Sequence, residues 1–484
     1  MNAPRVVLLA AVLIFLAVLC TSKPTRNVNC PVGFTHVVYW EKWSGYEAHA
    51  ARAVVDAFNK TIGFEKKIFV EYVPVANVDV KAQVAIIGGD PPDILGLWQR
   101  NVTGFAAADA LTPLDEIDDT ATVKSLALEP LVTACNYHDR LFAVPSTPAT
   151  IALYWNRGVF KEHTKSMRDA GLDPTQAPNT LAGFKKVCEI LSTRSDGGKI
   201  QKMGYLPGTA GSFDWYWHTW PIWWGGTWIE FSTGNLDVAQ RDVVESHEWV
   251  QDYTRGYGFD DVLEFESSLG EFGAPDNPFL SEKLAMVRQG PWMAHLIRRY
   301  RPDLDFGVAP FPTRSGNPIG FFEMDVLAIP RGAKNPKAAW TFVNWLYQAK
   351  PLTIDAYRDM SPWLGDSDSQ ADSAEKSLQL KPVEWLCWLH GKNSPLATLS
   401  DAFVATHPNS GIDVHEFLLR ESKTATVPAL PNWSELLSEY RATYGQVWIS
   451  DCDIPKKFQQ CQEEIDSLTQ NYIARCRRWG IAYP

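Results

Sequence analysis

The sequence predicts an α/β protein of two or three domains, with helices covering the faces of a parallel sheet. Three observations point there. Strand-like and helix-like segments alternate between Val37 and Leu97, and a β-α-β-α-β order implies a parallel sheet with crossover helices. At 484 residues the chain exceeds one domain of roughly 100–200 residues. Hydrophobic residues make up 45% and charged residues 21%, the composition of a folded globular protein rather than a disordered or collagen-like one.

The elements follow in order. Val37–Trp40 is a short apolar strand. Ser44 and Glu47 have capping-box spacing, with Ser44 closing the helix N-terminus and Glu47 reaching back to it. Ala50, Ala53, Val54, Ala57 and Phe58 then fall on one helical face. Ile68–Val73 is the next strand, 78–87 a helix stopped by Gly88-Gly89-Asp90-Pro91-Pro92, and Asp93–Leu97 a third strand whose Asp93 holds the loop. A second unit begins after Pro145-Ser146-Thr147-Pro148 with a strand at Thr150–Asn156 and helices at about 157–170 and 180–192. Asn179 or Thr180 caps the second of these. Met203–Leu206 is a short strand. Six tryptophans crowd the stretch from Phe213 to Trp228, out of 20 in the chain. Leu284–Gln289 and Asp305–Val308 read as strands around a helix from Trp292, and Phe322–Ile329 as a strand leading into an amphipathic helix at 335–348. Beyond Ser361 the chain is mostly helical, with a surface loop at Asp366–Ala374.

Charge and motifs exclude several functions. The chain carries 45 Lys+Arg against 56 Asp+Glu, a net charge of -11, with no basic block. Nucleic acid is therefore not an expected partner, nor is anionic lipid. No phosphate-cradling G-x-x-x-x-G-K-[ST], no G-x-G-x-x-G, no G-x-S-x-G and no H-E-x-x-H occurs, so no cofactor and none of these catalytic motifs is expected. A glycosidase leaves no such local signature, because its two carboxylates sit on separate loops. No C-x-x-C or His at zinc spacing is present, so no metal is expected.

The N-terminus indicates export. Arg5 precedes an apolar run from Val6 to Leu19, ending at Cys20 and followed at once by polar residues. The run fits the roughly 7–15-residue core of a secretory signal and is short for a roughly 20-residue membrane span. Residues 1–22 are read as a signal peptide or membrane anchor, which places the remainder in the periplasm or outside the cell. Cys20 is a lipidation candidate, although Leu19 stands where such signals want a small residue. Cys30, Cys135, Cys188, Cys387, Cys452, Cys461 and Cys476 are an odd set, which leaves at least one unpaired or buried as a thiol. A pair among the last three would staple the final helices.

Several segments, in order, resemble one family. They include Val38-Tyr39-Trp40-Glu41-Lys42-Trp43 with the helix after it, Gly88-Gly89-Asp90-Pro91-Pro92-Asp93-Ile94, and Ala107–Leu114. Further on come Tyr137–Pro145 (with Asp139-Arg140 where Asp-Gly is usual), Leu153-Tyr154-Trp155-Asn156-Arg157, and Ala285-Met286 with Gly290-Pro291-Trp292. Phe306–Pro312 and Ala328–Trp340 complete the set. Together they resemble the extracellular solute-binding proteins of ABC importers, of the maltose-binding, carbohydrate-uptake type. The resemblance spans about 37–350 and fades after Ser361. It implies a two-lobed periplasmic-binding-protein fold that closes by a hinge around a sugar in an interlobe cleft. It also implies delivery of that sugar to the transmembrane subunits of an ABC permease, by a monomer with no catalytic residues. Carried over, the N-lobe is 34–146 plus 322–358 and the C-lobe 147–321 plus 359–484. The crossings then lie near Pro145–Ala149, Gly320–Glu323 and Met360-Ser361.

A sugar has polar edges and an apolar C–H face, so its site wants aromatic platforms and fixed donors and acceptors, on loops at strand C-termini. Trp43 and Glu47 follow the first strand, and Trp98 and Gln99 follow the third. Thr147 lies at the first crossing. In the tryptophan block alternate rings must be core, which favours Trp215 and Trp224 over Trp217 and Trp220, with Asp214 as an acceptor. Trp292 precedes a helix, at a position where the resemblance places the ligand nearby. Glu323 stands in Phe321-Phe322-Glu323-Met324-Asp325 where many relatives are Gly-rich, and Trp433 closes the site from the C-terminal helices. The carboxylates favour a neutral sugar or a cation over an anion, and the scarcity of Arg in these loops argues against phosphate. The rival readings are a secreted carbohydrate hydrolase using Glu41, Glu47, Glu323 or Asp325, and the same fold binding a polyamine, metal chelate or polyol phosphate.

Overall fold

A computed structural model describes residues 29–208, 216–230, 235–360 and 378–479. The signal segment, Asp214, Trp215 and the loop at Asp366–Ala374 lie outside the described residues. Strand β1 (Thr35–Glu41) leads into helix α1 (Gly45–Lys60), which buries the face formed by Ala50, Ala53, Val54, Ala57 and Phe58. Strand β2 (Ile68–Pro74), helix α2 (Val78–Ile87), strand β3 (Ile94–Trp98) and helix α3 (Gln99–Ala107) follow. Strand β1 pairs in parallel with both β2 and β3, the crossover arrangement that the alternation predicts. Asp93 is structural, as expected: it accepts from Val38 N at 2.9 Å and Asn335 N at 2.7 Å, tying β3 to β1 and to a later helix.

The chain continues through strands β4 (Ala143–Thr150) and β5 (Ala152–Asn156) to helix α4 (Leu181–Leu191), where Thr180 caps by accepting from Gly183 N. The predicted helix at 157–170 is instead two short helices meeting at His163, and Met203 makes only an isolated bridge to Leu284 rather than a strand. Next come helix α5 (Arg241–Tyr257), strand β6 (Met286–Gln289), helix α6 (Met293–Tyr300), strand β7 (Phe306–Ala309), strand β8 (Ile319–Ala328) and helix α7 (Pro336–Gln348). The C-terminal part contributes helices α8 (Pro382–His390) and α9 (Ile412–Arg420), strand β9 (Lys423–Thr426), and helices α10 (Trp433–Val447) and α11 (Ile454–Trp479).

Two sheets result. The larger runs β9-β8-β3-β1-β2, with β4 also paired to β8. It is mixed rather than wholly parallel, because β8 runs antiparallel to β3 and β4 and parallel to β9. The smaller, β6-β5-β7, is antiparallel throughout. Each sheet sits in its own hydrophobic core. One core takes residues from Val37 to Val144, Phe322 to Tyr357 and Leu378 to Leu419. The other takes Ile151 to Phe321 and Val427 to Ile465.

The chain passes between the cores at 144–151 and at 321–322, near two of the expected crossings, but the third lies between Leu419 and Val427 rather than at Met360-Ser361. Residues 378–419 thus pack with the first core, not with the C-lobe to which 359–484 was assigned, because α8 and α9 bury Val383, Trp385, Leu386 and Leu419 there. The three crossings are adjacent, since β4, β8 and β9 are hydrogen-bonded neighbours. His415 on α9 clamps the first of them. Its Nδ1 lies 2.9 Å from Thr150 Oγ1 on β4, and its Nε2 lies 3.0 Å from Tyr154 OH on β5. Burial pushes this imidazole down to about 3, so the clamp is neutral.

None of the seven cysteines is disulfide-bonded, which removes the expected staple. Cys461 and Cys476 share α11, where 15 residues at 1.5 Å rise separate them by about 22 Å, far beyond disulfide reach. Cys452 Sγ instead lies 3.4 Å from the amide nitrogen of Gln251. Among the described residues no helix is long and apolar enough to cross a membrane.

Candidate functional site

Between the two cores lies a cleft of about 950 Å³, and strand register builds one of its walls. Asp325 on β8 stands opposite Trp98 on β3 and opposite Thr147 on β4, at a register shift. Lys42 and Trp43 follow the end of β1. These residues converge because they sit at strand ends and at the crossing, where open α/β folds place ligands.

A buried ionic network forms this wall. Lys42 Nζ lies 2.9 Å from Asp325 Oδ1 and 3.0 Å from Glu41 Oε1. Lys392 Nζ lies 3.0 Å from Asp325 Oδ2 and 3.0 Å from Glu47 Oε1, with Thr147 Oγ1 at 3.5 Å as a third acceptor. Asp325 Oδ2 also accepts from Thr147 Oγ1 at 2.8 Å and from Trp43 Nε1 at 3.3 Å. Arg100 Nη1 pairs with Glu323 Oε1 at 2.9 Å. Burial works against the charged form of Asp325, but Lys392 and Lys42 outweigh it and hold the carboxyl well below the usual carboxylate range. Glu47 is likewise held low against burial, chiefly by Lys392. Lys392 and Lys42 are raised against burial, chiefly by Asp325. Glu41, fully buried and bonded to Tyr39 OH at 2.7 Å, is pushed up by burial. Its carboxylate lies against Gly96, where a Cβ would coincide with it, so β3 covers Glu41 only because that position is glycine.

The capping box does not form. Ser44 makes no side-chain cap bond, and Glu47 turns to Lys392, because a buried ammonium is a stronger partner than an exposed helix-end N–H.

Aromatic rings supply much of the rest of the cleft. Trp98 is partly exposed, with the Lys42 ammonium 5.1 Å and the Arg100 guanidinium 4.7 Å from its ring centre. Trp292, above Gly290, directs its indole N–H to Gln289 Oε1 at 3.0 Å. From the second core come Tyr216, Trp217 and Trp433, with His218 beside them.

Of the residues expected at the ligand, the structure brings Trp43, Glu47, Trp98, Thr147, Trp292, Glu323 and Trp433 to this cleft. Gln99 and Trp224 are not among its lining. Gln99 is the first residue of α3 and is buried, with Thr426 Oγ1 at 3.4 Å from its Oε1. Trp224 packs edge-on to Trp220 and Trp249. The tryptophan block coils as short helical turns at Trp217–Thr219 and Trp220–Trp223, so alternation does not apply and Trp217, stacked on Tyr444, lines the cleft instead. Sequence reasoning missed Lys42, Lys392, Arg100, Tyr216 and His218, and saw Asp325 only as a hydrolase candidate. The expected scarcity of cationic side chains is not found, because Lys42, Arg100, Lys392 and Arg441 all line the cleft. Lys42, Arg100 and Lys392, however, each already have a carboxylate within 3.0 Å. Among the described residues no cluster suited to a metal occurs.

A family model described as "Bacterial extracellular solute-binding protein" matches residues 44–351. Similar solved structures include CpMnBP1 with mannotriose bound, 20% identical with TM-score 0.68, over 89% of this chain and 100% of that one. The cyclic alpha-maltosyl-1,6-maltose binding protein from Arthrobacter globiformis is 17% identical with TM-score 0.66, over 91% and 100% of the two chains. UgpB from Mycobacterium tuberculosis, in complex with glycerophosphocholine, is 17% identical with TM-score 0.66 over the same shares. At these identities the structures establish a shared two-lobed fold. With the family match covering most of the chain and the cleft between its two cores, this protein belongs to the bacterial extracellular solute-binding proteins.

Proposed function

We propose that the protein captures a mono- or oligosaccharide between its lobes, without turning it over, and hands it to an ABC permease. The observation that carries this reading is the pairing of chemistry in the cleft. Aromatic faces from both cores meet there, while Lys42, Lys392 and Arg100 are each matched by carboxylates. Such a site offers flat apolar contact and fixed polar partners, with the three cations of its ionic wall, Lys42, Lys392 and Arg100, neutralised. The structures with mannotriose and other saccharides support the ligand class. The lobes follow the cores, 34–150 with 322–360 and 378–419 against 151–208, 216–230, 235–321 and 427–479, and close by the three crossings at their junction. Export by residues 1–22, with cleavage or tethering there, and a monomeric state complete the proposal.

The hydrolase reading is disfavoured by the carboxylates themselves. A glycosidase needs a general acid with a raised pKa facing the substrate. Asp325 and Glu47 are instead held low by lysines, Glu323 is paired to Arg100, and Glu41 is fully buried and absent from the lining.

A thermal-shift screen against mannobiose, mannotriose, maltotriose and glycerophosphocholine tests the proposal. A ligand at 100 times its Kd stabilises by about 2.7 kcal/mol. A selective upward shift with a saccharide is the expected result. A shift with glycerophosphocholine alone overturns the ligand class while leaving the family assignment in place.

A further inference from the structure

The two walls of the cleft differ in one respect. Nearly every polar group of the ionic wall has a partner, whereas the aromatic wall holds buried polar atoms with none. His218 is 5% exposed, lines the cleft, and has no hydrogen-bond partner at either Nδ1 or Nε2. Trp433, 1% exposed and also lining the cleft, has an unpartnered Nε1. Their ring centres are 6.4 Å apart in an edge-on arrangement, and Phe321 stands edge-on to His218 at 6.0 Å. Among the described residues lone indole N–H groups also occur at Trp220, Trp223, Trp228, Trp340, Trp388 and Trp448, but these do not line the cleft. A buried polar atom left unbonded costs about 1–3 kcal/mol. Three such atoms gathered on one wall of a ligand cleft therefore mark a place that a ligand fills.

Resting on the saccharide reading, we propose that His218, with the Trp433 indole N–H beside it, is the hydroxyl-reading element of the cleft. The imidazole accepts the hydrogen of one ligand hydroxyl through its bare nitrogen and donates its N–H to a neighbouring ligand oxygen. Trp433 donates to an oxygen of the same group. A hydroxyl-bearing ligand uses all three atoms, whereas a fully ionised anion would accept from the two N–H groups and leave the bare imidazole nitrogen facing an acceptor. Burial, reinforced by Arg288 and Arg100, pushes His218 down to about 3. The ring is therefore neutral at physiological pH and offers one donor and one acceptor.

The test titrates full-length wild type, His218→Leu, His218→Gln and Trp433→Phe with mannotriose and maltotriose, and records the melting temperature of each without ligand. Removing an unsatisfied buried polar group does not destabilise the free protein. His218→Leu is therefore expected to melt at or above the wild-type temperature while its affinity falls about tenfold or more, a loss of about 1.4 kcal/mol or more. His218→Gln, which can still donate and accept, retains more affinity than His218→Leu, and Trp433→Phe loses affinity. Wild-type affinity in His218→Leu overturns the inference and leaves the saccharide reading intact, as does a lower unliganded melting temperature in both His218 variants. Binding of neither sugar by the wild type overturns both.

Discussion

Replacing Lys392 by Met is expected to destabilise the fold by about 3–5 kcal/mol, the cost of removing one partner from a buried ion pair. Lys392 Nζ holds both Asp325 and Glu47 at 3.0 Å, and the lysine is buried. Its loss strands Glu47 and leaves Asp325 with Lys42 as its one cationic partner among the described residues. Urea unfolding of the two proteins measures the difference, and a loss under 1 kcal/mol would contradict the assigned network.

The same network fixes a pH dependence. Asp325 and Glu47 have depressed folded pKa values. Their contribution is present at neutral pH and is lost as pH falls through and below about 4, the ordinary carboxylate range. Lys392 and Lys42 are raised, so their contribution is present at neutral pH and fades as pH climbs above about 10.4. The Met variant should lose less stability than wild type on acidification.

Trp98→Ala is expected to reduce saccharide affinity by about 30- to 1000-fold, the range of an aromatic hot spot worth about 2–4 kcal/mol. Trp98 is partly exposed, ends β3, and stands opposite Asp325 in register. Lys42 and Arg100 approach its ring and fix its orientation, so little ordering remains to be done when a ligand arrives. Calorimetric titration of the variant checks this, with circular dichroism confirming that it is folded. Unchanged affinity would remove Trp98 from the ligand surface.

Much of the first half was legible because its signals are local. The alternation from Val37 to Leu97 sets β1, α1, β2, α2 and β3, with the helix at Val78–Ile87 placed as predicted. The chain changes core at 144–151 and 321–322, beside Pro145–Ala149 and Gly320–Glu323, and strand ends pointed to Trp43 and Trp98, which line the cleft. The rest depends on distance. Lys392 reaches Glu47 across 345 positions of sequence, and no periodicity encodes such a pair. It also lies after Ser361, where the resemblance fades. Glu47 looked like a capping residue because the spacing of that motif is correct, and only the distant ammonium decides otherwise. Gln99 failed because one step along the chain, from the last residue of β3 to the first of α3, turns a side chain from the cleft into the interior. His218 was hidden inside a block of tryptophans, where nothing in the sequence distinguishes a filled imidazole from an unfilled one.

The central claim is reversible capture of a saccharide without chemistry. Isothermal titration calorimetry with mannotriose and maltotriose, followed by chromatography of the recovered sugar, tests it most directly. The account predicts saturation at one sugar per chain, a negative heat-capacity change from burial of apolar surface, and sugar recovered intact. No heat of binding with any saccharide, or sugar recovered cleaved, would contradict it.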